Sequence, residues 1–347
     1  MTNAPDILSV KMKQRCFCHD YYERGIYMIT LEVEGRRPIL GRLEGCAVAK
    51  TPLGESVEAC WREIPRRHPE IQLLACIVMP DHFHGLLFVR TRMRRHLGEI
   101  VRGFKIGCTK AYRLGGRLSG ESPSGDSPFG DSPFGDSPFG DSPYMANPPN
   151  LFAPGYHDRI LTHRGQLKTL FRYIADNPRR LALIRQNPGY FTRINRLELA
   201  GATYAAYGNP FLLNRPDRLQ IQCSRRISPD ALAAETERLL DAAERGAVLV
   251  SPCISPGEKA IARAALEAGL PLIALCENGF APKFKPPGNY FEACAEGRLL
   301  LLAPWAYYTD RRRITRAQCL ALNAMVAEIC GPGAATLDYH GLVPAAI

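Results

Sequence analysis

The chain has 347 residues, 44 Lys+Arg against 34 Asp+Glu for a net charge of +10, and 46% apolar residues. That length exceeds the need of one average domain, and the apolar content rules out global disorder, so two packed domains are expected. No stretch reaches the ~18 uninterrupted apolar residues of a membrane span, and residues 1–10 lack the basic-then-apolar layout of a secretory signal, so a cytoplasmic protein is expected.

In chain order, residues 26–33 (IYMITLEV) predict a strand, and 38–48 a short hairpin partner. Residues 56–67 carry a helical pattern ending near Pro69. Residues 71–79 form a strongly apolar strand, broken at Pro80 and resumed over 83–89. Residues 97–114 predict a helix bearing Arg102, Lys105, Lys110 and Arg113. From Gly125 to Tyr144 run four tandem pentapeptides, GDSPF three times and then GDSPY. A proline every fifth residue removes donors and blocks regular helix, so 117–150 reads as an exposed, disordered insert. A short strand follows at 156–161, then a helix over 166–184 that tolerates Pro178 only as a kink or break. This mixture predicts an α+β domain over residues 1–215. From residue 216 the style changes: helices at 229–244 and 255–268 alternate with buried strands at 247–250 and 271–275. That alternation predicts a second, small α/β domain with a parallel, Rossmann-like sheet over 216–347.

Charge and cysteine usage sharpen the partner expectation. Residues 1–119 hold 20 bases and 12 acids, residues 120–143 five acids and no base, residues 144–215 ten bases and three acids, and the remainder 14 of each. A basic first region points to a polyanion, most often nucleic acid. The 12 cysteines contain no C-x-x-C pair, so neither a zinc ribbon nor a thioredoxin-type site is expected.

The densest chemical signal is Met79-Pro80-Asp81-His82-Phe83-His84-Gly85-Leu86-Leu87. Residues two apart on a strand share a face, so His82 and His84 present two imidazoles together while Phe83 turns to the core. Two imidazoles beside a carboxylate suit a divalent metal; a pair of solvent-facing strand histidines is the other reading. Tyr173 and Asn177, four apart, share one helical face. A phenol meeting a metal-bound phosphate can act as a nucleophile, and Asn177 can complete the ligand set; a half-buried packing role is the alternative for Tyr173. Tyr156 is a competing nucleophile, and His157 and Asp158 are candidate helpers. Arg92, Arg94, Arg95, Arg102, Lys105, Lys110 and Arg113 are candidate phosphate contacts, which would position DNA without reading it.

The order of these motifs, with Phe104-Lys105, Tyr156-His157-Asp158-Arg159-Ile160 and Tyr173-Ile174-x-x-Asn177-Pro178, resembles the single-tyrosine HUH transposases, REP-associated branch, over roughly residues 20–190. The resemblance implies a ferredoxin-like HUH domain, Mg²⁺ or Mn²⁺ held by His82 and His84, and Tyr173 attacking single-stranded or hairpin DNA to leave a 5′-phosphotyrosine and a free 3′-hydroxyl. Asn177 stands where relatives often carry a glutamine ligand. Residues 216–310 resemble the Rossmann-like domain of the DNA-processing protein A (DprA) superfamily, which implies nucleotide or single-stranded DNA binding at Ser251, Gly257 and Gly279. The plainer reading of this region is a structural or dimerising domain, giving a homodimer. No G-x-G-x-x-G or Walker loop occurs, so no ATP hydrolysis is expected. The rival to an enzyme is a domesticated DNA-binding protein with a nucleotide-sensing second domain.

Overall fold

The computed structural model describes residues 19–118, 150–310 and 312–331. The pentapeptide repeats, Cys16 and Cys18 lie outside the described residues. The protein is a mixed α+β structure of two units, Met1–Ala182 and Leu183–Ile347. The division falls earlier than the composition shift near residue 216, because two strands upstream of that shift are built into the second sheet.

In the first unit the order is β1 (Gly25–Glu32), β2 (Gly41–Glu44), β3 (Ala47–Lys50), α1 (Pro52–Arg62), α2 (Ile64–Arg67), β4 (Ile71–Met79), β5 (His82–Val89), α3 (Leu97–Leu118), β6 (His157–Ile160) and α4 (Gln166–Gln186). The main sheet is antiparallel in the order β4-β5-β1-β6. Residues 38–48, expected as a hairpin partner of the first strand, do not pair with it; β2 and β3 pair with each other as a separate two-stranded ribbon. Helix α1 begins where Pro52 supplies a preset φ and the Thr51 hydroxyl accepts from Gly54 N at 3.1 Å.

The pleat of β1 and β5 sorts the unit into two faces. Tyr27, Ile29, Leu31, Phe83, Leu87 and Val89 enter one core with Val57 and Trp61 of α1 and Leu97, Val101, Phe104 and Cys108 of α3. Met28 and Leu86 face the other way and meet Leu170 and Ile174 of α4. Helices therefore cover both faces. Gly85 makes the first face possible: a Cβ there would lie 2.3 to 2.7 Å from atoms of the buried Trp61 indole.

The second unit carries β7 (Arg193–Leu199), β8 (Ala202–Gly208), β9 (Arg218–Gln220), α5 (Pro229–Glu244), β10 (Val248–Ser251), α6 (Pro256–Glu267), β11 (Leu272–Leu275), α7 (Asn289–Ala295), β12 (Leu299–Ala303) and α8 (Arg316–Cys330). Its sheet order is β7-β8-β12-β11-β10-β9. Strands β9 to β12 are parallel, and β8 joins β12 antiparallel. Because the parallel strands follow one another in sequence order, right-handed crossovers send every connecting helix to the same side. One core accordingly holds Leu239 of α5, Ile261 and Ala265 of α6 and Cys294 of α7. The opposite face is closed by Leu322, Val326 and Ile329 of α8 with Leu197 and Tyr204 of β7 and β8. Burial on both faces explains the unbroken apolar runs VLV, LIAL and LLLL. Among the described residues no helix is long and apolar enough to cross a membrane.

Replacing Gly85 by alanine should lower the unfolding free energy by about 1–3 kcal/mol, the usual range for overpacking a filled core. Urea denaturation followed by tryptophan fluorescence measures it, and an unchanged midpoint would contradict the packing described.

Candidate functional site

The second face of the first sheet is where the predicted chemistry gathers. His82 and His84 project from β5 on the side of Met28 and Leu86, and their ring centroids are 4.8 Å apart at 82°. Helix α4 crosses this face, and its Leu170 and Ile174 anchor it on Met28 and Leu86. Tyr173, half-buried beside Ile174, lays its ring against His84 with centroids 5.6 Å apart at 65°. The helix runs through Pro178 without interruption. Pro178 has no N–H for the carbonyl one turn back, and the neighbouring Asn177 Nδ2 donates to the Tyr173 carbonyl at 2.7 Å.

Each imidazole is oriented through Nδ1. His84 Nδ1 is hydrogen-bonded to Thr30 Oγ1 at 2.8 Å, its direct partner across β1. His82 Nδ1 donates to Asp81 Oδ1 at 2.6 Å. Asp81 in turn accepts from Arg36 at 3.0 Å, and Arg36 also reaches Glu32 at 2.6 Å. Burial alone would push the Asp81 carboxyl up; the His82 hydrogen bond and the Arg36 guanidinium outweigh it and hold the group well below the usual carboxylate range. Arg36 sits at φ 56°, a left-handed backbone that few non-glycine residues adopt, between these two carboxylates.

The donor set fits a divalent cation. With both Nδ1 atoms engaged by a carboxylate and a hydroxyl, each ring would offer Nε2, the outer-shell arrangement that ligating histidines use. Asn177 has spent its amide donor on the helix, so its remaining ligand atom is Oδ1. Among the described residues no group of three or more His, Cys, Asp or Glu could hold a metal; the candidate ligands brought into contact are the two imidazoles.

Other predicted residues separate. His157 pairs with Thr30 and Arg159 with Met28, which puts both on the imidazole face. Asp158 pairs with Ile29 on the opposite face and accepts from Tyr21 Oη at 2.7 Å, so it cannot assist Tyr173. Tyr156 is buried in the core under α3, away from the imidazoles, which removes it as a rival nucleophile. The basic residues also lie elsewhere. Arg102, Lys105, Lys110 and Arg113 line a groove of about 890 Å³ between α3 and residues 150–156, on the side of the sheet facing away from His82 and His84. Lys105 is a structural clamp: its ammonium donates to the carbonyls of Ala153 and Gly155 at 2.6 and 3.0 Å, and burial lowers its pKa. Arg92 is held by Asp20 at 3.0 Å and by Glu23. Arg95 borders a cavity between α1 and α3, and Arg94 is exposed. Sequence reasoning missed Thr30 and Arg36, whose roles depend on cross-strand register and a turn that no local pattern reveals.

In the second unit, Ser251 is fully buried at the end of β10 and its Oγ accepts from Cys253 N at 3.0 Å. The amides that a phosphate would use are occupied from within: the buried Glu258 carboxylate accepts from Ile254 N at 2.7 Å and Ser255 N at 3.0 Å, within a capping box. Gly257 and Gly279 serve close packing. A Cβ on Gly257 would lie 3.0 Å from Cys223 Cβ, and one on Gly279 would lie 2.3 Å from Tyr307 N.

No family model matches the chain. An uncharacterized protein of Haemophilus influenzae is 24% identical over 121 residues, which cover 29% of this chain and 65%, under two thirds, of that protein. Among solved structures, a REP-associated tyrosine transposase bound to a REP hairpin is similar over 48% of this chain and 74% of its own, at 14% identity and TM-score 0.31. DNA processing protein A from Helicobacter pylori, described with its single-stranded DNA binding mode, is similar over 41% of this chain and 67% of its own, at 21% identity and TM-score 0.31. The Streptococcus pneumoniae DprA shares 25% identity over 37% of this chain and 44% of its own, with TM-score 0.29. At these TM-scores the likenesses do not assign the chain to either class.

Substituting Lys105 by methionine should cost about 1.5–3 kcal/mol of stability, the range for hydrogen bonds made by a charged group, measured by urea unfolding. Arg102→Ala, at an exposed position on α3, should leave the urea midpoint unchanged. A Lys105→Met variant of wild-type stability would contradict the clamp described.

Proposed function

We propose that the protein is a metal-dependent, transposase-like nuclease and strand transferase acting on single-stranded or hairpin DNA through Tyr173. One observation carries this reading: the Tyr173 ring, from α4, lies 5.6 Å from the ring of His84, which is itself 4.8 Å from that of His82. The β-α-β-β-α-β order of the first unit, with its strands arranged second-third-first-fourth, supports a ferredoxin-like HUH domain. The parallel strands of the second unit support a Rossmann-like accessory domain; the amides filled by Glu258 weigh against phosphate binding at Ser251 and Gly257.

His82 and His84 through Nε2, with Asn177 through Oδ1, would hold Mg²⁺ or Mn²⁺. Such an ion, when bound, supplies Lewis-acid polarisation of a non-bridging phosphate oxygen. The chain's own residues supply the rest. Thr30 and Asp81 fix the imidazoles so that no reorientation is needed on binding. The Tyr173 Oη attacks phosphorus and gives up its proton to solvent; the bond from phosphorus to the 3′ oxygen breaks, and that oxygen takes a proton to become a 3′-hydroxyl. The product is a 5′-phosphotyrosine whose retained ester energy lets a second 3′-hydroxyl reverse the step without ATP. Arg159 and His157, on the same sheet face, are the cationic and titratable groups best placed to meet the strand.

The test incubates the full chain with Mn²⁺ and end-labelled hairpin DNA and looks for an adduct that survives denaturation. Wild type should form it and Tyr173→Phe should not. An adduct that persists in Tyr173→Phe removes this nucleophile. DNA binding without any adduct across a panel of hairpins would instead favour the non-catalytic DNA-binding reading.

A further inference from the structure

The groove between α3 and residues 150–156 has two built walls. One is a single face of α3, on which Arg102, Ile106, Lys110 and Leu114 follow at four-residue spacing, with Arg113 beside them. The other is the chain from Asn150 to Tyr156, held to the helix by the Lys105 ammonium on the Ala153 and Gly155 carbonyls. The α3 face offers charge and apolar surface together. Arg102 and Lys110 are exposed and have no acidic partner among the described residues. Ile106 and Leu114 are 60% and 52% exposed. A phosphodiester backbone would match the cations and leave both aliphatic side chains wet. A partner that alternates carboxylates with apolar rings matches both. The chain itself carries such a partner: residues 120–143 hold five acids and no base. Within the pentapeptides Asp126, Asp131, Asp136 and Asp141 each stand three residues before an aromatic ring, Phe129, Phe134, Phe139 and Tyr144. We propose that the acidic, aromatic segment of residues 121–144 docks in this groove, its carboxylates meeting Arg102, Lys110 and Arg113 and its rings covering Ile106 and Leu114.

Placement, spacing and charge favour this occupant. Helix α3 ends at Leu118, one turn beyond Leu114, and the described chain resumes at Asn150, which itself lines the groove. Both ends of residues 119–149 therefore stand at the groove. A partner tethered so closely acts at an effective concentration on the order of millimolar, so individually weak surface contacts suffice. Five residues of extended, proline-bearing chain cover about 15 Å. Along α3 a rise of ~1.5 Å per residue separates Arg102 from Lys110 by about 12 Å and from Arg113 by about 17 Å. Consecutive aspartates can thus reach cations at the two ends of the face, with one ring between them at the level of Ile106. The repeated pentapeptide offers several equivalent registers for the same set of contacts.

This inference is independent of the nuclease reading, since the groove lies on the side of the sheet away from the imidazoles. The full chain is treated at low ionic strength with a carbodiimide, which joins an amine to a touching carboxylate, and the tryptic digest of the monomer is mapped by mass spectrometry. No Lys or Arg lies between Arg117 and Arg159, so the expected principal product of Lys110 is peptide 106–113 linked to peptide 118–159 through an acid of the segment. Replacing Phe129, Phe134, Phe139 and Tyr144 together by serine keeps every charge and should cut this product roughly fivefold or more. Ile106→Ser should do the same. Coupling of Lys110 to carboxylates elsewhere overturns the proposal, as does a yield unchanged in either variant, the mark of mere collision by a tethered chain. A link found only between isotope-labelled and unlabelled chains would make a second copy the occupant. An uncoupled Lys110 that single-stranded DNA protects from acetylation would give the groove to nucleic acid instead. The serine variant of the repeats alone decides the matter if Ile106→Ser fails to fold.

Discussion

The two-residue pleat of β5 is the constraint on which the first unit depends. A single strand must bury Phe83, Leu87 and Val89 on one side and present His82 and His84 on the other. The side that receives Phe83 is fixed by the Trp61 indole, which settles over Gly85 because no Cβ stands in its way. A slip of one residue would bury both imidazoles under α1 and turn Phe83 toward α4. The core therefore sets the register, and the register sets the chemistry.

The imidazole face is then organised by contacts of decreasing locality. Thr30 orients His84 from the neighbouring strand, and Asp81 orients His82 from the adjoining turn. Arg36 braces Asp81 from a left-handed turn after β1. Tyr173 arrives from farthest away in sequence, on a helix whose position is decided by Leu170 and Ile174 packing on Met28 and Leu86. Two apolar side chains one turn apart thus decide where the phenol stands. Such a site is as rigid as the helix seat beneath it.

What was legible in the sequence was local periodicity. The alternation of His82, Phe83 and His84, and the four-residue spacing of Tyr173 and Asn177, specify shared faces without further information. What was not legible required knowing which faces meet. The bases of α3 read as partners of the histidines because they follow closely in sequence, yet α3 covers the other side of the sheet, and Lys105 is consumed by two loop carbonyls. Pro178 reads as a break, but the helix passes through it, fixed on the sheet by Leu170 and Ile174 one and two turns earlier. The turn before α6 has the composition of an anion cradle; that Glu258 fills it from within follows from a capping box whose acid is buried, and burial cannot be read from spacing. The strands of residues 193–208 pair with each other across a tight turn, and only β8 reaches the rest of the sheet, beside β12 at the far end of the unit.

That last feature has a consequence for how the second unit is made. Strands β9 to β11 can be added one after another as they leave the ribosome, each beside its predecessor. The β7–β8 hairpin emerges earlier than all of them, yet its place is beside β12, with Gly208 opposite Leu300. It must wait, with the apolar side chains of Leu197 and Tyr204 unshielded, until the final strand is synthesised. The first piece made finds its partner strand only when β12 is complete, and a nascent chain halted before β12 would expose a ready aggregation surface.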